Sequence, residues 1–98
     1  MKVEVSGQVL DFVKSQAPEP RKRLRLALRK LESERGDIKS LEGPLSGYFR
    51  LRVGPYRVVF AYGASPGRSK RLCCIFAERR DIVYEIFSRI LRQRILEE

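Results

Sequence analysis

The chain has no histidine and no tryptophan, two cysteines, one methionine, and only 12 acids against 21 lysines and arginines. Without histidine there can be no Ser/His/Asp or Cys/His nucleophile and no histidine acid–base pair of the common ribonuclease kind. No Gly-rich loop runs into Lys-Ser/Thr, which removes the common triphosphate cradle. Cys73 and Cys74 lack further Cys or His partners at ligand spacing, so a metal site is not expected. On a strand their side chains point to opposite faces, which is poor geometry for a mutual disulfide, and both are read as core residues. No cofactor is expected. No apolar run reaches the roughly 20 residues of a membrane helix, and Met1 to Leu10 holds no signal-peptide core. A soluble, cytoplasmic protein with no membrane partner is the expectation.

What is abundant is positive charge. A formal net charge of +9 on 98 residues, with a pI near 10.2, favours a polyanionic partner such as nucleic acid, or an acidic protein. The length suits one hydrophobic core, so residues 1–98 are expected to form a single domain. Fifteen of the basic residues are arginine, whose planar fork of donors suits phosphate and stacks on bases.

Periodicity sketches an α+β fold. Lys2 to Val5 alternates as a short strand. Val9, Leu10, Phe12 and Val13 then form a helix face behind the N-cap candidate Ser6, and Ala17-Pro18-Glu19-Pro20 stops it. Pro20 fits the first turn of a second helix with the stripe Leu24, Ala27, Leu28 and Leu31, for which Gly36 is a suitable stop. The opposite face carries Arg21, Lys22, Arg23, Arg25, Arg29 and Lys30. It is either an RNA-contacting surface or a solvated helix face. A connecting segment follows, holding Ile38, Leu41, Gly43, Pro44 and Gly47. Phe49, Leu51 and Val53 next alternate with Tyr48, Arg50 and Arg52, Gly54-Pro55 turns, and Tyr56 to Tyr62 returns, which predicts a hairpin. Gly63 to Lys70 reads as a loop, Leu72 to Ala77 as a central strand, and Ile82 to Leu96 as a helix capped by Asp81 with a wide apolar face. The sum is a sheet of about four strands, mainly antiparallel, with an N-terminal helical hairpin and a C-terminal helix.

The distinctive chemistry is cationic. Arg50 and Arg52 share one strand face, and the hairpin return brings Arg57 beside them if the register places it there. Arg79 and Arg80 end the next strand, and Tyr84 lies one turn into the last helix. Such a group can hold a phosphate by bidentate hydrogen bonds and stabilise the charge of a pentacoordinate phosphorus. RNA carries its own nucleophile, the 2′-OH, so orientation and charge stabilisation suffice in principle. The structural alternative is that these arginines pair with acids or protect a sheet edge.

The segment from Leu41 to Phe60, with Gly47-Tyr48-Phe49-Arg50-Leu51-Arg52-Val53-Gly54-Pro55-Tyr56-Arg57 at its centre, resembles the central block of RelE-type toxins of the RelE/ParE superfamily. Arg79-Arg80-Asp81-Ile82-Val83-Tyr84 resembles their closing Arg…Val-Tyr motif. The resemblance implies a compact fold like that of microbial ribonucleases and a metal-independent endoribonuclease. Such a toxin enters the ribosomal A site, cuts mRNA by 2′-OH attack and so inhibits translation. It also implies a cognate antitoxin protein that wraps the toxin and binds operator DNA. Residue by residue, Arg50 and Arg52 stand where relatives carry basic residues, often lysine. Arg57 matches the phosphate-binding arginine, and Tyr84 the aromatic that stacks on or orients the base. Arg79 best matches the general-acid arginine, with Arg80 as competitor because of one extra residue before the tyrosine. Arginine effectively cannot lose its proton, so Arg52 is a poor general base. Glu78 or Tyr84 takes that role, or charge stabilisation alone carries a slower reaction. The alternatives are a ParE-like, non-nucleolytic inhibitor that binds DNA gyrase, and an inactive homologue acting through antitoxin or DNA binding.

Overall fold

The structure is a computed structural model that describes residues 1–64 and 70–97. Its elements are β1 (Lys2–Val5), α1 (Gly7–Ser15), α2 (Pro18–Lys30), β2 (Asp37–Ser40), β3 (Phe49–Val53), β4 (Tyr56–Ala64), β5 (Lys70–Arg79) and α3 (Val83–Glu97). The expected loop from Gly63 to Lys70 is shorter, because β4 runs on to Ala64 and β5 begins at Lys70. Its middle, 65–69, lies outside the described residues.

The sheet has five strands in the order β1-β5-β4-β3-β2. All pairs are antiparallel except β1 with β5. The α+β class and the helix placement agree with the sequence reading, and the additional strand is β2. It is short, with one half-buried apolar residue, Ile38, which is too little for periodicity to register.

The helical hairpin forms for the expected reasons. The Ser6 hydroxyl accepts from the Val9 N–H (3.2 Å), capping α1. Pro18 opens α2 and Pro20 sits in its first turn, where a missing N–H costs no helical bond. Termination differs from expectation. After Lys30 the chain tightens into a 3₁₀ turn, and Glu34, at φ 51°, takes the left-handed position expected of Gly36. The Glu34 carboxylate accepts from the Tyr62 hydroxyl (2.8 Å), which anchors it there. Gly36 is needed for a different reason: a Cβ on it would lie 2.8 Å from Leu51 Cδ1. At α3 the Ile82 carbonyl, not an Asp81 cap, takes the first helical bond, from the Ile86 N–H (3.1 Å).

Each sheet face carries a packed apolar cluster. Val9, Val13, Leu24 and Leu31 of the hairpin side pack on Leu51, Val58, Phe60, Leu72, Cys74 and Ala77. On the other face Val83 and Phe87 of α3 pack on Val59 and Phe76, with Tyr48, Ile86, Ile90 and Leu91 around them. Full burial of a side chain such as Phe60 or Leu24 is worth about 1.5–3 kcal/mol. Cys74 is a core residue as expected, whereas Cys73 is only half-buried, and both are free thiols.

One irregularity decides what faces what. Phe60 pairs with Cys74 but Val59 pairs with Phe76, so Ile75 is an extra residue, a β-bulge. Beyond it the alternation of β5 is inverted. Phe76 and Glu78 point to the α3 face, and Ala77 and Arg79 to the hairpin face. The bulge is pinned from α1: the Ser6 hydroxyl donates to the Ile75 carbonyl (2.8 Å), and the Gln8 amide exchanges two hydrogen bonds with Ala77 (2.7 and 2.8 Å).

Candidate active site

The α3 face of the sheet is apolar only under the first turns of the helix. Beyond it, β3 and β4 present arginines. Because Phe49, Leu51 and Val53 point to the hairpin core, Arg50 and Arg52 must point the other way. The β3–β4 register puts Arg52 directly opposite Arg57 and Arg50 opposite Val59. Arg57 therefore does share the face of Arg50 and Arg52, the condition the sequence reading left open.

Arg57 is the centre of the group. Its Nη1 donates to the Gly54 and Tyr56 carbonyls, both at 2.9 Å, so the guanidinium is tied to the turn that precedes it. Gly54 takes φ 56°, which the tight turn requires. Burial, then Arg52, lower the pKa of Arg57 below the usual arginine value. Tyr84 opposes that shift, and Arg50 and Arg80 add to it. Arg50, Arg52, Arg80 and Tyr84 thus all lie near enough to Arg57 to act on its charge. A guanidinium remains charged at any physiological pH, so the field at this point is strongly positive and suited to an anion.

Arg50 is held differently. Its Nη1 donates to the Asp37 carbonyl (2.9 Å) and to Asp37 Oδ1 (3.0 Å), and the side chain is only 17% exposed. Asp37 offsets part of its charge and fixes its position. Beside it lies an open hollow of about 320 Å³ lined by Lys39, Ser40, Leu41, Glu42, Arg50 and Tyr84. Lys39 pairs across the ladder with Arg50 and so shares its face.

The structure brings Arg50, Arg52, Arg57 and Tyr84 together, and Arg79 does not join them. Arg79 pairs with Tyr56, whose ring packs on Phe12 of α1, so Arg79 belongs to the hairpin face. Arg80, one residue past the strand, returns to the cluster, and its N–H donates to the Pro55 carbonyl (2.9 Å). Glu78 shares the face of Arg57 by register, but its Oε1 accepts from the Arg79 N–H (2.9 Å).

The sequence reading missed Lys39 and Asp37, both on the strand it did not predict. The alternation of Asp37-Ile38-Lys39 is the only signal that would have found them. Among the described residues, no three Cys, Asp or Glu lie close enough to hold a metal ion, and no helix is long and apolar enough to cross a membrane.

No family model matches the chain, and no curated protein matches it in sequence. Solved structures do match in fold. The YoeB/ParE toxin from Agrobacterium tumefaciens superposes with a TM-score of 0.64 at 19% identity, covering 82% of this chain and 99% of that one. A RelBE toxin–antitoxin complex from Mycobacterium tuberculosis gives 0.63 at 18% identity, over 81% of this chain and 96% of the other. The RelE–RelB complex of Pyrococcus horikoshii gives 0.60 at 24% identity, over 81% and 93%. These identities speak to architecture, and nearly the whole of each neighbour is matched. The chain has the fold of the RelE and YoeB/ParE toxins.

Proposed function

We propose that this protein is the toxin of a type II toxin–antitoxin pair and a metal-independent endoribonuclease that cuts mRNA in the ribosomal A site. The observation that carries this reading is the convergence of Arg50, Arg52, Arg57, Arg80 and Tyr84 on one sheet face around the restrained Arg57 guanidinium. A non-nucleolytic binder needs no such concentration of like charge, which costs stability unless an anion offsets it.

In this reaction the 2′-oxygen bonds to the adjacent phosphorus while the bond to the 5′-oxygen breaks. The 2′-OH loses a proton and the 5′-oxygen gains one. Arg57 and Arg52 hold the non-bridging oxygens and stabilise the extra charge as the phosphorus becomes pentacoordinate. Tyr84, at the mouth of the hollow, stacks on the base next to the scissile phosphate. Arg80 supports the departing 5′-oxygen by hydrogen bonding. None of the arginines can accept the 2′-proton, and the hollow that Arg50 and Tyr84 line also holds Lys39 and Glu42. Ribosome binding supplies the substrate orientation that so open a site does not supply itself.

The implied partners are a cognate antitoxin, the ribosome with its mRNA, and operator DNA reached through the antitoxin, all in the cytoplasm. Inducing the protein without a partner and mapping mRNA 5′ ends tests the reading. New ends confined to translated frames support it. Growth arrest with intact mRNA and blocked DNA gyrase would overturn it in favour of the ParE-like mode.

A further inference from the structure

The arginine cluster does not end at the sheet face. Where β3 turns into β4, a second hollow of about 320 Å³ lies on the hairpin side; its cations are Arg23 and Lys30 of α2 and Arg35 beyond it, and Arg52 borders it from the strand while its side chain points to the opposite sheet face. None of the residues lining it is acidic. Among the described residues, none of these three cations has a carboxylate oxygen within 4.0 Å. The same chain does balance charge elsewhere: on α3, Arg89 is paired with Glu85 one turn away (3.4 Å). Three unpaired cations around one hollow repel one another, and an anion there would relieve the repulsion.

The junction between the two sites is Gly54. Its carbonyl accepts from Arg57 Nη1, while a Cβ on its other side would lie 3.2 Å from Arg23 Nη2. Two arginines, one from the sheet and one from α2, therefore meet on a single turn residue. The hollow's remaining lining is Leu26, Ala27, Gly36, Leu51 and Val53, with no aromatic on which a base would stack. Its chemistry reads phosphates and not bases.

We infer that Arg23, Lys30 and Arg35 form a sequence-independent subsite for single-stranded RNA, continuing from Arg57 and Arg52 across the Gly54 turn onto α2. The choice of RNA rests on the proposed function of the cluster. The subsite accommodates the backbone of nucleotides flanking the scissile phosphate and lengthens the grip on the strand without adding sequence preference.

Binding of fluorescein-labelled 2′-O-methyl oligoribonucleotides tests this, using a tetranucleotide and a dodecanucleotide over a range of salt. The parent should bind the dodecamer about tenfold or more tighter than the tetramer. The triple variant R23Q/K30Q/R35Q should lose that gain, with its salt slope shallower by about 2 for three lost phosphate contacts, and bind the tetramer unchanged. R57Q should weaken both lengths. If R57Q changes neither length while the triple variant still loses the gain, the cluster reading fails and the subsite stands. A triple variant with parental dodecamer affinity and salt slope would overturn the subsite. So would a polyglutamate peptide or duplex DNA that displaces the dodecamer as well as unlabelled RNA does.

Discussion

Gln8 binds the backbone of Ala77 like a short strand, its amide nitrogen donating to the Ala77 carbonyl at 2.7 Å and its amide oxygen accepting from the Ala77 N–H at 2.8 Å. β1 pairs with β5 only as far as Cys74, so without Gln8 these Ala77 groups would lose their partners just past the bulge. Leaving a buried backbone pair unsatisfied costs about 1–3 kcal/mol per group. Q8A should therefore lower stability by roughly that amount in a denaturant titration. It should also reduce cleavage, because the phase of β5 sets where Arg80 emerges. A variant as stable as the parent would show that the bulge holds itself.

The same phase separates Arg79 from Arg80. R80Q should depress cleavage by about tenfold or more, as expected for one charge-stabilising donor, while R79Q stays within a few-fold of the parent. Single-turnover cleavage of ribosome-bound mRNA measures both. The reverse order of effects would mean that the strand end rearranges on the ribosome.

Much of this was legible in the sequence, and what was not has particular causes. The Ser6 cap, the Pro-opened α2 and the Arg50/Arg52 alternation each follow from local rules, so short-range pattern suffices for them. Placing Arg57 beside Arg52 depended on a register that the sequence reading left open and that the Gly54-Pro55 turn sets. The resemblance alone put Arg79 ahead of Arg80; the one-residue bulge at Ile75, which no residue type marks, turns Arg79 to the hairpin face. Lys39 went unseen because β2 is held by its pairing with β3, not by a hydrophobic rhythm of its own.

The thiols should differ in reactivity. Burial, and then Cys73, push the Cys74 thiol up to about 12 from the ordinary 9.0, whereas Cys73 is half-exposed. Folding opposes ionisation of Cys74. Its contribution to stability is complete below about pH 9 and is lost as pH rises from there through about 12. Alkylation at pH 8 followed by mass spectrometry should show Cys73 modified first and Cys74 only on unfolding. Equal rates at both would contradict the packing of β5 beneath the hairpin.

The apolar face of α3 is wider than the sheet beneath it. Val83 and Phe87 are buried, while Ile95 and Leu96 are 74% and 80% exposed. I95S/L96S should change the melting temperature of the free protein by no more than a degree or two, since surface substitutions stay within about 0.5 kcal/mol. The same change should weaken binding of the antitoxin if that partner covers the helix end, which calorimetry would read. A large fall in melting temperature would assign both residues to the core.

The most direct test is R57Q, read for fold and function together. Arg57 is a partly buried cation near Arg52, Arg50 and Arg80, so removing its charge relieves repulsion even as its bonds to Gly54 and Tyr56 are lost. The variant should melt within a few degrees of the parent and show no new pH dependence between pH 5 and 9, because the guanidinium it replaces does not titrate there. Cleavage of ribosome-bound mRNA should fall by about a hundredfold or more. A folded R57Q that cuts at the parental rate would contradict the assignment of this face as a phosphate-binding active site.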